Sequence, residues 1–179
     1  ILHALTKNEH AEQLHQMEKI AKSVQSMLSA AIEDSALIST SLYMDNSLQD
    51  FVSRQYASPQ DYFSSYREYI HNSLLQGVSR ITNSVIRVYA DNETLINGSE
   101  FARLSTVSQE PWYQQYTADG YSPRLLFSYD ETDGRQVLFL RGMNGLYSDK
   151  AECLLCIEIN YSTLDRDFQN MGYNDSVYV

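Results

Sequence analysis

The stretch RLLFSYDETDGRQVLFLR, residues 124–141, decides the fold. Two runs rich in aliphatic and aromatic residues flank the turn residues TDG, which is typical of an antiparallel β-hairpin. The run AECLLCIEINY at 151–161 predicts a further strand, and SVIRVYADNETLI at 84–96 predicts a strand, a turn at Asp91–Asn92 and a second short strand. Together these segments predict a mainly antiparallel, five-stranded sheet over residues 84–161.

The N-terminal part of the chain has a helical pattern. Between about residues 6 and 44, no proline or glycine interrupts a 3–4 alternation of small and apolar residues. A helix of that length spans about 55 Å, which is more than a compact domain needs. We therefore expect it to lie along its own domain, to form a dimer contact through its exposed N-terminal half, or both. The stripe consists of Leu14, Met17, Ala21, Val24, Leu28, Ala31, Ser35, Ile38 and Leu42.

Further helices are predicted over residues 46–83. Ser58 suits an N-cap, Pro59 suits the first helical position, and Asp61 completes a capping box. A short helix at 111–117, which carries the only tryptophan, is inserted between the second and third strands. Long helices followed by strands that connect through short turns predict an α+β domain, with the long N-terminal helices packed on one face of the sheet.

Alternation along the strands divides their side chains between two faces. One face is expected to be aliphatic and to pack on the helices. The other is expected to be polar, and the helix at 111–117 can fold over it and close a pocket around Trp112 and Tyr113. A plain solvated face is the alternative. The polar residues assigned to this face are Arg87, Tyr89, Arg141, Glu158 and Asn160.

The charge and the reactive residues exclude several classes of function. The formal net charge of -10 argues against nucleic acid or an anionic membrane surface as the main partner. Cys153 and Cys156 have a CxxC spacing, but a strand would direct the two thiols to opposite faces, so we interpret them as small core residues. The four histidines lack metal-ligand spacing, and no GxSxG, P-loop or GxGxxG motif occurs. We therefore expect no metal, no cofactor and no catalytic residues in this domain.

The order of elements and three short segments resemble a known family. VYADNETLI at 88–96, PWYQQY at 111–116 and IEINYSTL at 157–164 are similar to segments of the extracytoplasmic Cache domain, a PAS-like sensor module of bacterial membrane receptors. The nearest resemblance is to YesM-type sensor histidine kinases, and it covers residues 8–179. On this basis residues 1–163 form the sensor domain. Residues 164–179 then form a helix and the start of a further strand or a membrane-proximal subdomain.

The resemblance also implies site residues. In amino-acid-binding members a Trp-Tyr pair holds the ligand, which corresponds to Trp112 and Tyr113, and a carboxylate in the last strand binds its amino group, which corresponds to Glu158. A tyrosine and an acid near the hairpin correspond to Tyr129 and Glu131. Those members also place an arginine two residues before the tryptophan, where this chain has Glu110. A neutral or cationic ligand, a sugar or a peptide is therefore expected rather than an α-amino acid.

The resemblance implies a ligand-sensing domain on the extracellular face of the cell membrane. The full-length protein would be a membrane-anchored histidine kinase, with the long helix passing the signal onward and forming a homodimer. The input would be a small molecule or an extracellular binding protein. Alternatives are a non-sensing dimerisation or protein-docking module, or the input domain of a chemoreceptor or a cyclase. No apolar run in the sequence approaches the roughly 20 residues of a membrane span, so we expect an excised soluble piece.

Overall fold

The computed structural model describes residues 2–71, 73–81, 84–120, 122–130, 134–143, 152–159 and 166. The order of elements is helices first, then a sheet that one short helix interrupts. The helices are α1 (Leu2–Tyr43), α2 (Asn46–Ser53), α3 (Pro59–Ser65), α4 (Leu74–Ile81) and α5 (Pro111–Ala118). The strands are β1 (Val85–Ala90), β2 (Phe101–Arg103), β3 (Arg124–Asp130), β4 (Gly134–Gly142) and β5 (Cys153–Ile159). The domain is therefore α+β. Of the helix and strand predicted beyond Ser162, the described residues include only Arg166, which is helical.

Helix α1 has 42 residues, which corresponds to about 63 Å. From Val24 onward its stripe of apolar residues packs against the sheet, where Val137 and Ile159 lie beneath it. In the N-terminal half the same stripe is open to solvent, because Leu14 is 62% exposed and Met17 is 64% exposed. None of the helices among the described residues combines the length and the apolar character that a membrane span requires.

The helices after α1 begin and break at defined residues. Ser58 Oγ accepts a hydrogen bond from the Asp61 amide at 3.2 Å, so the predicted cap forms. Two of the helices predicted over residues 46–83 are α3 and α4, and one turn of π-helix (Tyr66–Ile70) lies between them. Tyr66 donates a hydrogen bond to the Glu100 carboxylate, and Gln76 of α4 donates to the same carboxylate. This junction fastens both helices to the segment that precedes β2.

The sheet has the strand order β2-β1-β5-β4-β3 and is mixed. Three of its pairings are antiparallel, but β2 runs parallel to β1, with Phe101 opposite Val88. The predicted short strand directly after Asp91–Asn92 is therefore wrong. Asn92 is buried, and its Nδ2 donates to the carbonyls of Val52 and Arg54 at 2.9 and 2.8 Å. These bonds draw the chain toward the end of α2 and prevent it from folding back as a hairpin.

The sheet is buried on both faces. We call the side packed against α1, α2 and α3 the helix face, and its core includes Phe51, Ile86 and Ile157. We call the side covered by α5 the cleft face, and its core includes Trp112 and Leu138. Burial on both sides explains the nearly continuous apolar run of β5, which lies at the centre of the sheet.

The two cysteines lie on opposite faces of β5, as the strand interpretation predicts. Cys153 belongs to the core of the helix face, and Cys156 belongs to the core of the cleft face. Neither forms a disulfide, and burial raises the pKa of each thiol to about 12. Both thiols are therefore protonated at neutral pH, and a thiol in that state is a poor nucleophile.

Candidate ligand-binding cleft

A cleft of about 170 Å³ lies between the sheet and the segment that leads into α5. Its lining comes from three strands, from this segment and from the first turn of α5. The lining includes Arg87, Tyr89, Glu110, Trp112, Gln136 and Glu158. The cleft therefore joins charged groups of both signs to two aromatic rings, on the face opposite α1.

Strand register brings these residues together. In the antiparallel pairing of β1 with β5, Val85 lies opposite Glu158 and Arg87 lies opposite Cys156. In the pairing of β5 with β4, Glu158 also lies opposite Leu138. Directly opposed residues of a sheet point to the same face, so Arg87, Glu158 and Leu138 all line the cleft.

Helix α5 is fixed above the sheet at its middle. Tyr116 is fully buried, and its hydroxyl oxygen accepts a hydrogen bond from the Gly142 amide at 2.7 Å. The helix begins at Pro111, and Gly120 follows its end with φ of 86°, a conformation that favours glycine. The anchor at Tyr116 holds the N-terminal turn of α5, with Trp112, over the cleft.

Trp112 belongs both to the core and to the cleft. Its indole is 8% exposed and packs among the apolar residues of the cleft face, and it also lines the cavity. The ring of Tyr89 lies 6.0 Å from it, centroid to centroid. Tyr113 contacts the indole edge-to-face at 88° and lies outside the cleft lining, so it braces the indole. The pair predicted from the sequence thus contributes one wall residue and one supporting residue.

The arginine of the cleft already has protein partners. Arg87 Nε donates to the Ser99 carbonyl at 3.1 Å, and its Nη1 donates to the Tyr89 hydroxyl at 3.4 Å. The hydrogen bond to Tyr89 raises the pKa of Arg87, and burial raises the pKa of Tyr89. Within the described part of the chain, neither Glu110 nor Glu158 forms an ion pair.

Two residues predicted for the site lie on the other face. The prediction that Arg141 lines the site is wrong. Its Nη1 donates to Ser39 Oγ at 3.2 Å and to Thr40 Oγ1 at 2.8 Å, and both of these residues are on α1. Its guanidinium also lies 4.6 Å from the centroid of the Tyr43 ring. The prediction that Tyr129 lines the site is also wrong. On the edge strand β3, Tyr129 lies three residues after the cleft-face residue Leu126 and so belongs to the opposite face, and it is 72% exposed.

The remaining predicted residues divide into two groups. Arg87, Tyr89, Trp112 and Glu158 line the cleft as expected. Glu131 and Asn160 lie outside the described residues.

Sequence reasoning missed some lining residues. The sequence interpretation does not include Gln136, although this residue alternates with Leu138 along β4 and so shares its face. Glu110 also lines the cleft, although the sequence interpretation does not place it in the site. Alternation would have identified Gln136 if the side of β4 that faces the cleft had been known. Among the described residues, no group of three or more His, Cys, Asp or Glu side chains is arranged to hold a metal.

The fold and the site together define a class. The protein is an α+β domain in which a mixed five-stranded sheet separates a long helix from a charged, aromatic cleft. Comparison with known protein families, with curated proteins and with solved structures gives no match to this chain.

Proposed function

We propose that this domain is the extracellular sensor module of a bacterial membrane receptor. It would be of the Cache, PAS-like type found in YesM-type histidine kinases, anchored in the membrane through other parts of the full-length protein. The observation that carries the proposal is the cleft itself, in which Arg87, Trp112 and Glu158 converge opposite the long helix. A concave site with an apolar wall and a few convergent polar groups is the usual form of a small-molecule pocket.

The same strands line the cleft and touch the long helix. On β4, Leu138 lines the cleft, and Arg141 binds the hydroxyls of Ser39 and Thr40 on α1. On β5, Glu158 lines the cleft, and its neighbour Ile159 packs against α1. A ligand that binds one of two arrangements of these strands more tightly would therefore shift the position of α1. In the proposed receptor this displacement passes the signal to the kinase.

A ligand screen by thermal unfolding tests this proposal. Amines, amino acids, sugars, small acids and candidate binding proteins would be added to the purified domain. A true ligand at 100 times its Kd is expected to stabilise the fold by about 2.7 kcal/mol. Trp112→Phe, which keeps an aromatic ring in the core, is expected to reduce this gain, because the phenyl ring is smaller and leaves part of the cleft wall missing. His71→Ala is the control, because His71 is exposed and does not line the cleft.

The screen also separates sensing from docking. If no small molecule raises the melting temperature while a purified partner protein binds tightly, the sensing proposal fails. The protein-docking alternative would then stand.

A homodimer through α1 is part of the proposal, and one specific observation favours it. The apolar stripe that packs on the sheet continues along the helix to Met17 and Leu14, where it is exposed. Exposed apolar residues at heptad spacing are typical of a helix that pairs with a second helix. The same observation supports the alternative in which dimerisation is the main role of the domain.

Two added charges on the stripe test the dimer. Leu14→Lys with Met17→Lys is expected to weaken self-association by at least about a hundredfold, because both copies lose buried apolar area and gain repulsion. Analytical ultracentrifugation measures the change. Gln13→Lys with Gln16→Lys is the matched control, since both residues are exposed and lie off the stripe. A wild-type domain that stays monomeric, or equal effects of the two double variants, would contradict pairing through this face.

A further inference from the structure

The charges that line the cleft do not balance. Glu110 and Glu158 contribute two carboxylates, and Arg87 contributes one guanidinium. Within the described residues the carboxylates have no ion-pair partner, whereas Arg87 donates to the Ser99 carbonyl and to the Tyr89 hydroxyl. The cleft thus has a formal excess of one negative charge, although Glu158 attracts the guanidinium of Arg87 without forming an ion pair with it.

The protein itself uses part of the donor set of Arg87, which leaves one edge of the guanidinium open to a ligand. An arginine binds a carboxylate most strongly through two parallel N–H groups, and one such pair uses Nε. In Arg87 the Nε donor is already directed to the backbone carbonyl of Ser99. A carboxylate placed elsewhere in the cleft would meet Glu110 or Glu158 at close range and would be repelled.

The aromatic wall favours a positive charge for an independent reason. The rings of Trp112 and Tyr89 lie side by side in the lining, 6.0 Å apart and inclined at 48°. The face of an aromatic ring attracts a cation, and tryptophan does so most strongly. The net charge of -10 on the chain adds a long-range field of the same sign.

We propose that the ligand of this cleft is a small organic cation, an amine or a guanidine that lacks a carboxylate group. The inference rests on the proposed sensing function and names its ligand class. Glu158 binds the cationic group from the floor of the cleft, Glu110 binds a second donor at its rim, and Trp112 covers the alkyl chain. The volume of about 170 Å³ accommodates a compact molecule.

Matched pairs of compounds test the ligand class directly. Agmatine is compared with arginine, cadaverine with lysine and putrescine with ornithine, because each pair differs by one carboxylate. Isothermal titration to the wild-type domain is expected to show that at least one amine binds about tenfold or more tightly than its amino acid. Glucose and succinate serve as neutral and anionic probes and are expected not to bind.

Two conservative variants assign the preference to the acids of the cleft. Glu158→Gln is expected to weaken amine binding by about tenfold, because a charge-assisted hydrogen bond becomes a neutral one. Glu110→Gln is expected to reduce the ratio of amine to amino-acid affinity, since it removes a charge that repels the carboxylate. Glu18→Gln is the control, because Glu18 is exposed on α1 and does not line the cleft.

The outcomes separate the ligand class from the function. The proposed ligand class is wrong if amino acids bind as tightly as the corresponding amines, or if only glucose or succinate binds. In either case the sensing function would still stand if that binding depends on Trp112. Equal losses from Glu158→Gln and Glu18→Gln would also overturn the ligand class. If no probe and no other compound binds, the ligand class and the sensing function fail together.

Discussion

Replacement of Asn92 by aspartate is expected to lower the free energy of unfolding by about 4 kcal/mol. Asn92 is 2% exposed, and its Nδ2 donates to the carbonyls of Val52 and Arg54. Its Oδ1 accepts hydrogen bonds from the amide and the hydroxyl of Thr94. An aspartate can keep the acceptor role but has no N–H to donate. Both carbonyls at the end of α2 would then lose their donor and face a buried negative charge.

The same substitution in the same loop supplies the control. Asn97 is exposed, and its Oδ1 accepts a hydrogen bond from the Arg103 amide at 2.9 Å, a role that a carboxylate retains. Asn97→Asp is therefore expected to change stability by less than about 0.5 kcal/mol. Urea unfolding followed by circular dichroism measures both variants. Similar midpoints for the two would show that Asn92 does not hold the loop to α2.

Truncation of Phe51 to alanine is expected to lower stability by a similar amount, about 4 kcal/mol. Phe51 is fully buried at the centre of an aromatic cluster on the helix face. Its ring centroid lies between 4.8 and 6.1 Å from those of Tyr56, Tyr62, Tyr66 and Phe101. The smaller side chain leaves a cavity among rigid rings that cannot collapse to fill it, and it also loses the ring-to-ring contacts.

Phe63→Ala is the matched control for the cluster. Phe63 is 54% exposed and contacts only the ring of Tyr62 among the described aromatic pairs. Its truncation is expected to lower stability by less than about 1 kcal/mol in the same unfolding experiment. Comparable losses for Phe51→Ala and Phe63→Ala would contradict the central position of Phe51. Because the cluster lies on the helix face, neither change is expected to alter the affinity of the cleft for its ligand at temperatures where the variant is folded.

Local sequence signals predicted the elements well where the interactions are short-range. The Ser58 cap forms with its expected partner Asp61, and the stripe of α1 gives one uninterrupted helix. Strands β3 and β4 pair as the predicted antiparallel hairpin, with Asp130 opposite Gly134. Each of these features depends on residues that lie within a few positions of one another, so the order of amino acids specifies them directly.

The residues that line the cleft could be predicted only in part. Strand alternation shows which residues of one strand share a face, but it does not show how the faces of two strands correspond. It separates Leu138 from Arg141 within β4, but it does not say which of them shares a face with Glu158. The pairing of β4 with β5 decides this question. Leu138 lies opposite Glu158 and so shares its face, whereas Arg141 lies opposite Leu155 on the other face. A register shifted by one residue would have moved Arg141 into the cleft, as the sequence interpretation assumed.

The sequence by itself determined the long helix α1, the Ser58 cap, the strands of the hairpin and the opposite placement of Cys153 and Cys156. Only the tertiary structure decided that β2 runs parallel to β1 and that Arg87, Trp112 and Glu158 meet in one cleft. The physical reason is the range of the interactions. Caps and alternation act between near neighbours in the chain. The pairing of β4 with β5 joins residues 12 to 22 positions apart, and the bonds of Asn92 join residues 38 and 40 positions apart, so both depend on how the whole core packs.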